Sequence, residues 1–307
     1  MQASPACAPL LSSPVPSLPF LGHALELSAA GLFAWCWAAA PRERPGLRAE
    51  LCLAATYGWL LEALDMWIFG TYHYGGALRL WLPGRVPLSI PLLWAIIIQS
   101  SMALSDLAGL PDWSRPFLDG LLAVLIDLGV DAIAIRAGLW TWGIPLTEGW
   151  FGVPAGNLYA WMWVAAWYSG VLRLVRARIM RGEPSWHRWL APPVAYAGLL
   201  WTFVVLGYLG LALELRTQGE RLWLFAAHVA VCAALVAAAA RRCRPAGLPR
   251  LAASLRVARW LMHGSFALLA LWLGLWRATP ALLAVSAGAL TAEWAVQRWC
   301  EQPAGAA

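Results

Sequence analysis

The chain has 307 residues, of which 61% are hydrophobic and 12% charged, with a formal net charge of +6. A soluble domain carries about twice that share of charged residues, so the composition excludes an ordinary soluble enzyme. The 22 basic residues are all arginine, and most of them lie between apolar segments, which indicates membrane topology rather than nucleic-acid binding.

Apolar segments of about 20 residues follow one another along the chain, and each is long enough to cross a bilayer. They cover 18–40, 51–69, 87–109, 117–136, 155–175, 190–213, 222–240, 257–275 and 278–297. A short turn is all that separates the last two, so eight or nine spans are expected. We therefore predict an all-α, polytopic integral membrane bundle that forms a single domain over residues 1–307. No positively charged n-region precedes the first segment, so no cleaved signal peptide is expected.

Arginines are concentrated in alternate connections, after the first, third, fifth, seventh and last segments. The positive-inside rule makes these connections cytoplasmic and puts the N-terminus outside, in a multi-pass protein of the plasma membrane. The loop after the second segment and the region after the fourth are separated by two spans. They should therefore emerge on the same face of the membrane, where they can share a site.

Two pairs of acids lie within the apolar segments, where each ionisable group costs about 2.5–3.5 kcal/mol on insertion scales. Glu62 and Asp65 are three residues apart and share one helix face, as do Asp127 and Asp131 at four residues apart. Such acids either lock helices together by pairing with arginine or tryptophan N–H groups, or serve a functional cavity. A carboxyl in apolar surroundings stays protonated, as a proton donor must. Two pairs beside the aromatic face favour the cavity.

The other acids of the segments are less distinctive. Asp106 and Asp119 lie nearer the segment ends, where solvated behaviour is expected, while Glu26 and Glu293 fit either reading. Arg136 is five residues from Asp131 and is a candidate partner for it if the helix end bends.

Residues 137–163, AGLWTWGIPLTEGWFGVPAGNLYAWMW, hold the richest mixture of aromatic and turn residues in the chain. Their glycines and prolines forbid a continuous helix, and non-helical backbone at a membrane boundary is tolerated where it lines a cavity. We predict a re-entrant or membrane-lying segment that forms a cavity wall, with Glu148 as a solvated loop acid. The six cysteines and five histidines lie far apart, so no metal site is expected.

Several of these segments resemble one family, the membrane-embedded carotenoid biosynthesis proteins, whose characterised members include carotenoid 1,2-hydratases. The resemblance covers about residues 55–170 and rests on FGTYHYGGALRLWLPGRVPLSIPLLWAI, IDLGVDAIAIRAGLWTWG and WFGVPAGNLYAW. The remainder, including the helices of 190–297, adds only apolar segments. The matching positions are Gly70, Tyr72, Tyr74, Val86, Pro87, Ile90, Pro91, Trp94, Asp127, Asp131, Gly138, Trp140, Trp142, Phe151, Gly152, Pro154, Asn157 and Trp161. Ile126, Ala132 and Leu158 depart from the pattern.

The resemblance implies addition of water across the terminal 1,2 double bond of an acyclic carotenoid end. An acid protonates the alkene, a tertiary carbocation forms, and water captures it; no redox cofactor or metal is needed. The residues expected to carry the chemistry are Asp127, Asp131, Asn157, Tyr72, His73, Glu62 and Asp65. Those expected to bind the polyene are Trp140, Trp142, Trp150, Trp161, Tyr74 and Trp94, although tryptophans in membranes also form interfacial belts. Expected partners are the carotenoid, water, the lipid bilayer and other enzymes of the pathway, but not nucleic acid.

Three rival functions remain open at this point. A membrane prenyltransferase would share the DxxxD spacing of Asp127 and Asp131 but needs a second acidic motif, for which Glu62 and Asp65 are a poor match. A lycopene-type cyclase also begins by protonating this alkene, but the P-x-E-[ED] motif expected of membrane cyclases is missing. A carotenoid or lipid transporter could use the acids for proton coupling, although no inverted repeat is visible.

Overall fold

The computed structural model describes residues 19–43, 46–241 and 253–300. The predictions about a signal peptide and about the arginines of 242–252 fall outside these ranges. The helices are α1 (Pro19–Glu43), α2 (Leu47–Ile68), α3 (Ser89–Leu107), α4 (Arg115–Arg136), α5 (Ala155–Met180), α6 (Ala191–Ala212), α7 (Gln218–Ala240), α8 (Ala253–Trp272), the short α9 (Leu275–Ala278) and α10 (Pro280–Cys300). The strands are β1 (Tyr72–Tyr74), β2 (Trp81–Leu82), β3 (Val86–Pro87) and β4 (Trp140–Trp142).

Each predicted apolar segment coincides with one long helix, so the described chain is mostly helical, as predicted. Four helical stretches within the described ranges are long and apolar enough to cross a membrane: Leu47–Ile68, Ser89–Leu107, Ser185–Ala212 and Gln218–Ala240. The total of eight or nine membrane spans stays a prediction.

The helices differ in how much of their surface they bury. Most of α3 and α4 is buried, and both contribute to the main hydrophobic core. In contrast, α6 and α7 present large apolar side chains outward, with Trp201 64% and Trp223 80% exposed. Helices that are apolar all round and exposed on one side suit a lipid environment. The bundle therefore has central helices that can hold a site and outer helices that face lipid.

Two connections that were predicted to emerge on one face of the membrane are joined by a short antiparallel ribbon. Strand β1 pairs with β4, with Tyr72 opposite Trp142 and Tyr74 opposite Trp140. Side chains alternate along a strand, so these four aromatic residues share one face of the ribbon. The pairing confirms that the two connections meet and fixes which of their side chains point the same way.

The turn residues after α4 end the helix as predicted, since α4 stops at Arg136 and α5 begins only at Ala155. Gly149 and Gly152 have positive φ angles of 59° and 87°. A Cβ on Gly149 would lie 2.2 Å from the Val153 carbonyl oxygen, so a side chain cannot be placed there without moving the backbone. Glu148 is exposed, as expected of a solvated loop acid.

Ion pairs join several helices and correct the expectation for one acid and one arginine. Asp119 was expected to be solvated but is completely buried, and its Oδ2 lies 2.5 Å from Arg173 Nη1. Arg259 was counted among the loop arginines but lies within α8, fully buried against Glu293 of α10. Both corrections have one cause: a charge in an apolar segment is stable when a partner from another helix neutralises it.

Other polar contacts tie the same helices together. Glu50 of α2 accepts a 2.7 Å hydrogen bond from Arg176 Nε of α5. Glu26 of α1 accepts the backbone N–H groups of Arg79 and Leu80 at 2.6 and 2.7 Å. Glu50, Asp119 and Glu293 therefore pair with arginines of other helices, and Glu26 ties α1 to the loop before β2. The two predicted acid pairs are bound instead by tyrosine, tryptophan and asparagine side chains.

Candidate functional site

A cavity of about 940 Å³ lies among the helices, beneath the β1–β4 ribbon. The predicted site residues that line it are Glu62, Asp65, Tyr72, Tyr74, Trp94, Asp131, Trp140, Trp142, Asn157 and Trp161. Helices α2, α3, α4 and α5 and the two paired strands supply these residues. Both predicted acid pairs therefore reach a common space, together with most of the predicted aromatic residues.

Glu62 is the best-coordinated acid in the cavity wall. Its Oε2 accepts hydrogen bonds from the Tyr72 hydroxyl at 2.5 Å and the Tyr74 hydroxyl at 2.6 Å, and its Oε1 accepts Trp94 Nε1 at 2.8 Å. Three donors directed at one carboxyl group are the environment of an ionised carboxylate, since an ionised carboxyl only accepts. These three contacts favour the ionised form of Glu62 against the cost of burying a charge, and they hold its carboxyl group in place beside the aromatic face of the ribbon.

The two tyrosines of β1 are donors to this carboxylate. Burial and the adjacent charge of Glu62 raise the pKa of both Tyr72 and Tyr74 well above the ordinary value for tyrosine. Both therefore stay as neutral phenols that donate to Glu62 at any physiological pH. Tyr72 and Tyr74 also pack edge to face, with ring centroids 5.7 Å apart, so the ribbon holds them in fixed positions.

The second acid pair, on α4, is organised differently. Asp127 is completely buried and Asp131 is 4% exposed; Asn157 Nδ2 of α5 donates to Oδ2 of both, at 3.1 and 2.5 Å. Oδ1 of Asp127 is buried and has no hydrogen-bond partner among the described residues. Two buried carboxyl groups that share a single amide donor repel each other when both are ionised, so the pair favours retaining one proton. Asp131 lines the cavity, whereas Asp127 lies behind it and does not.

The two acidic groups face a shared space. Glu62 and Asp131 are close enough for their charges to repel, which further favours a proton on the aspartate pair. Asp65 lies one turn further along α2, lines the same cavity, and accepts a 2.9 Å hydrogen bond from the Tyr196 hydroxyl of α6. The cavity therefore brings together a glutamate that three donors stabilise in its ionised form and a buried aspartate pair that favours retaining a proton.

Aromatic rings form much of the remaining wall. Trp142 packs against Tyr72 with ring centroids 4.8 Å apart, and Trp94 against Trp161 at 4.4 Å. Trp142 Nε1 is buried and has no hydrogen-bond partner among the described residues. Its nitrogen is therefore enclosed by the surrounding side chains and is not open to the cavity.

The structure does not bring all predicted residues to the cavity. His73 is exposed on the opposite face of β1 from Tyr72 and Tyr74, because side chains alternate along a strand. Trp150 turns away and donates through Nε1 to the Leu128 carbonyl oxygen at 2.8 Å. The expectation that Arg136 pairs with Asp131 is wrong. Its Nη1 instead donates to the carbonyl oxygens of Ala132 and Phe151, at 2.8 and 2.7 Å, which ties the end of α4 to the following loop.

Sequence reasoning missed the other half of the cavity wall. It is formed by α1, α6, α7 and α8 through Leu25, Leu27, Ser28, Ala29, Gly31, Leu32, Phe203, Gln218, Arg221, Leu261, Met262, Ser265 and Phe266. Most of these residues are ordinary for a membrane helix and carry no motif, so a single sequence holds no signal for them. Within the described ranges, no three His, Cys, Asp or Glu side chains are grouped so that they could hold a metal ion.

The coordination of Glu62 leads to a prediction about stability. Glu62→Ala would leave the Tyr72, Tyr74 and Trp94 donors without their acceptor, so we expect a loss of about 2–3 kcal/mol in the free energy of unfolding. Thermal unfolding of the detergent-solubilised protein, followed by tryptophan fluorescence, measures this. The matched control is Glu148→Ala, an exposed acid whose removal should change stability by about 0.5 kcal/mol or less. Equal stability of the two variants would show that the three donors do not depend on Glu62.

The fold and the cavity together define a helical membrane protein with an acidic and aromatic site among its helices. The model of one family, described as carotenoid biosynthesis protein, matches residues 27–218, which is more than half of the chain. The chain belongs to this family. The match extends beyond residues 55–170, over which the resemblance was recognised, and includes α1 and α6. Comparison with curated proteins and with solved structures gives no match.

Proposed function

We propose that this chain is a carotenoid 1,2-hydratase, a hydro-lyase that adds water to the terminal double bond of an acyclic carotenoid end. We place it in the plasma membrane as a multi-pass protein, with eight or nine spans drawn from α1–α8 and α10. The observation that carries the proposal is the buried pair of Asp127 and Asp131, which share one amide donor of Asn157 and so favour retaining a proton, and whose outer member lines the cavity. Membership of the carotenoid biosynthesis family supports the substrate class.

The first step is transfer of that proton to the less substituted carbon of the terminal alkene. Asp131 is the donor, because it faces the cavity, while Asp127 and Asn157 hold its carboxyl group in place from behind. After transfer both aspartates are ionised, and the amide of Asn157 donates to each of them, which lowers the cost of that state. Asp127 and Asn157 are therefore positioning residues in this scheme.

The tertiary carbocation that results needs electrostatic stabilisation without a nucleophile that would trap it. The ring faces of Trp140, Trp142 and Trp161 offer this, since the negative face of an aromatic ring attracts a cation. The carboxylate of Glu62 adds a full negative charge, and its three donors hold it away from direct bond formation with the cation. The aromatic residues of the ribbon are thereby given a role beyond packing.

Water then attacks the cation through its oxygen and loses one proton to the acid groups. The pair of aspartates recovers the proton that it gave, and the net change is one water added across the double bond. Thr71, Gly143, Gln218 and Arg221 form a polar rim by which water can enter.

Expression in lycopene-producing bacteria tests the proposal. The hydratase should yield pigments heavier by one or two waters, identified by mass spectrometry. A cyclase would begin with the same protonation, but its carbocation would close a ring and lose a proton from carbon. Pigments of unchanged mass and altered chromatographic retention time would therefore identify the protein as a cyclase and not a hydratase. Unchanged pigments in cells that contain the folded protein would contradict both and favour a transporter.

A further inference from the structure

The cavity extends past the acids to the outside of the bundle between α1 and α8. Ser28 and Gly31 of α1 both line the cavity and are exposed, and so are Leu261 and Ser265 of α8. A residue that both lines a cavity and is exposed lies at its rim. The four residues thus mark an opening between two helices, and three of them have small side chains that leave it wide.

The surroundings of this opening are apolar. Leu27 of α1 is 75% exposed and Leu268 of α8 is 68% exposed, and neither lies in a loop. Phe20 at the start of α1 contacts Trp272 at the end of α8, with ring centroids 5.6 Å apart. This contact joins the two helices at one end, so the opening lies further along them, towards their middle.

The opposite rim of the cavity has a different character. Exposed Thr71 and Gly143 lie in the connections on either side of the β1–β4 ribbon, and Gln218 and exposed Arg221 lie at the start of α7. A hydratase needs two reactants of opposite polarity, and one entrance cannot suit both. The polar rim at the helix ends suits water, and the apolar opening between helix middles suits a lipid-soluble chain.

The geometry points to the gap between α1 and α8 as a lateral portal through which an apolar polyene passes from the bilayer to the acids. The identity of the occupant rests on the proposed function. A Cβ on Gly31 would stand in open space at this rim, since no described atom lies within 4 Å of it apart from its chain neighbours and the backbone of its own helix. A larger side chain can stand there without disturbing the helix packing, and it would fill the gap.

Gly31→Trp tests the portal, with Gly31→Ala and Gly288→Trp as matched controls. Gly288 of α10 is also exposed and free of neighbours within 4 Å, but it does not line the cavity. The readout is polyene retained by the purified protein from lycopene-producing cells, measured by absorbance, which does not depend on catalysis. Gly31→Trp should retain about tenfold less polyene than either control. Equal retention by Gly31→Trp and Gly288→Trp overturns the portal, as does a wild type that retains no polyene.

A chemical variant of the test avoids any effect of tryptophan on folding. Gly31→Cys is purified without pigment, shown to fold, and then labelled with a bulky maleimide before polyene is added in nanodiscs. The wild type labelled in parallel controls for the exposed native Cys52. Labelling should reduce polyene uptake about tenfold in Gly31→Cys alone, and unchanged uptake contradicts the portal. If the wild type takes up polyene without hydrating it, the proposed hydratase function is wrong. The effect of labelling on uptake by Gly31→Cys then still decides whether the portal exists.

Discussion

Asp131→Asn is expected to lower the rate of hydration by about 10²–10⁴-fold, the usual contribution of a positioned general acid. The substitution keeps the size of the side chain and its place beside Asn157, but an amide cannot release a proton to an alkene. Polyene retention should remain near that of the wild type, because the walls of the cavity do not change. Product formation per folded protein, measured by chromatography of extracted pigments, checks the rate.

Glu148→Gln is the control for Asp131→Asn, since it removes an exposed acid from the loop that follows the cavity ribbon. It should leave the rate unchanged. Wild-type hydration by Asp131→Asn would remove Asp131 from the role of proton donor, whatever Glu148→Gln does.

Arg259→Met is expected to destabilise the protein by about 3–5 kcal/mol, because it leaves a buried partner charge uncompensated. Arg259 donates to Oε1 and Oε2 of Glu293, both at 2.6 Å, and both side chains are fully buried. The guanidinium also donates to the hydroxyls of Ser100 and Ser101 and to the Leu122 carbonyl oxygen. One side chain therefore joins α3, α4, α8 and α10, and all four lose a contact together.

The measurement is the free energy of unfolding in detergent, and two comparisons interpret it. Arg216→Met removes an arginine that is 84% exposed and should change stability by about 0.5 kcal/mol or less. Adding Glu293→Leu to Arg259→Met removes the orphaned charge, so the double variant should regain much of the lost stability. If Arg259→Met alone is as stable as Arg216→Met, the buried ion pair does not stabilise the protein as described.

Some features of the fold and of the candidate site leave a clear signal in the amino-acid sequence, and others leave none. Apolar length is a strong signal, and the long helices fall where the apolar segments predicted them. Tyr72, Tyr74, Trp140 and Trp142 could be assigned to a shared site, because the parity of the spans brings their connections together. The alternation of side chains along β1 then excludes His73 from the cavity. The sequence alone could not exclude it, because it does not show that a strand forms there.

Partner choice across helices leaves no signal in one sequence. Asp119 and Glu293 look like other acids in apolar segments, yet each is neutralised by an arginine far away in the chain, while Asp127 and Asp131 share the amide of Asn157. Likewise Gly31 and Ser265 are common residues in membrane helices and acquire significance only because the packing places them at the cavity rim. Tertiary contacts, not residue type, separate structural acids from candidate functional ones.

The most direct test of the central claim is the origin of the oxygen in the product. Purified protein in nanodiscs is given an acyclic carotenoid in heavy-oxygen water, without added cofactor, and the pigments are analysed by mass spectrometry. The wild type should yield a tertiary alcohol whose hydroxyl carries the heavy oxygen, and Asp131→Asn should form it about 10²–10⁴-fold more slowly. A product without the label, or pigment recovered unchanged from folded wild-type protein, would contradict the central claim.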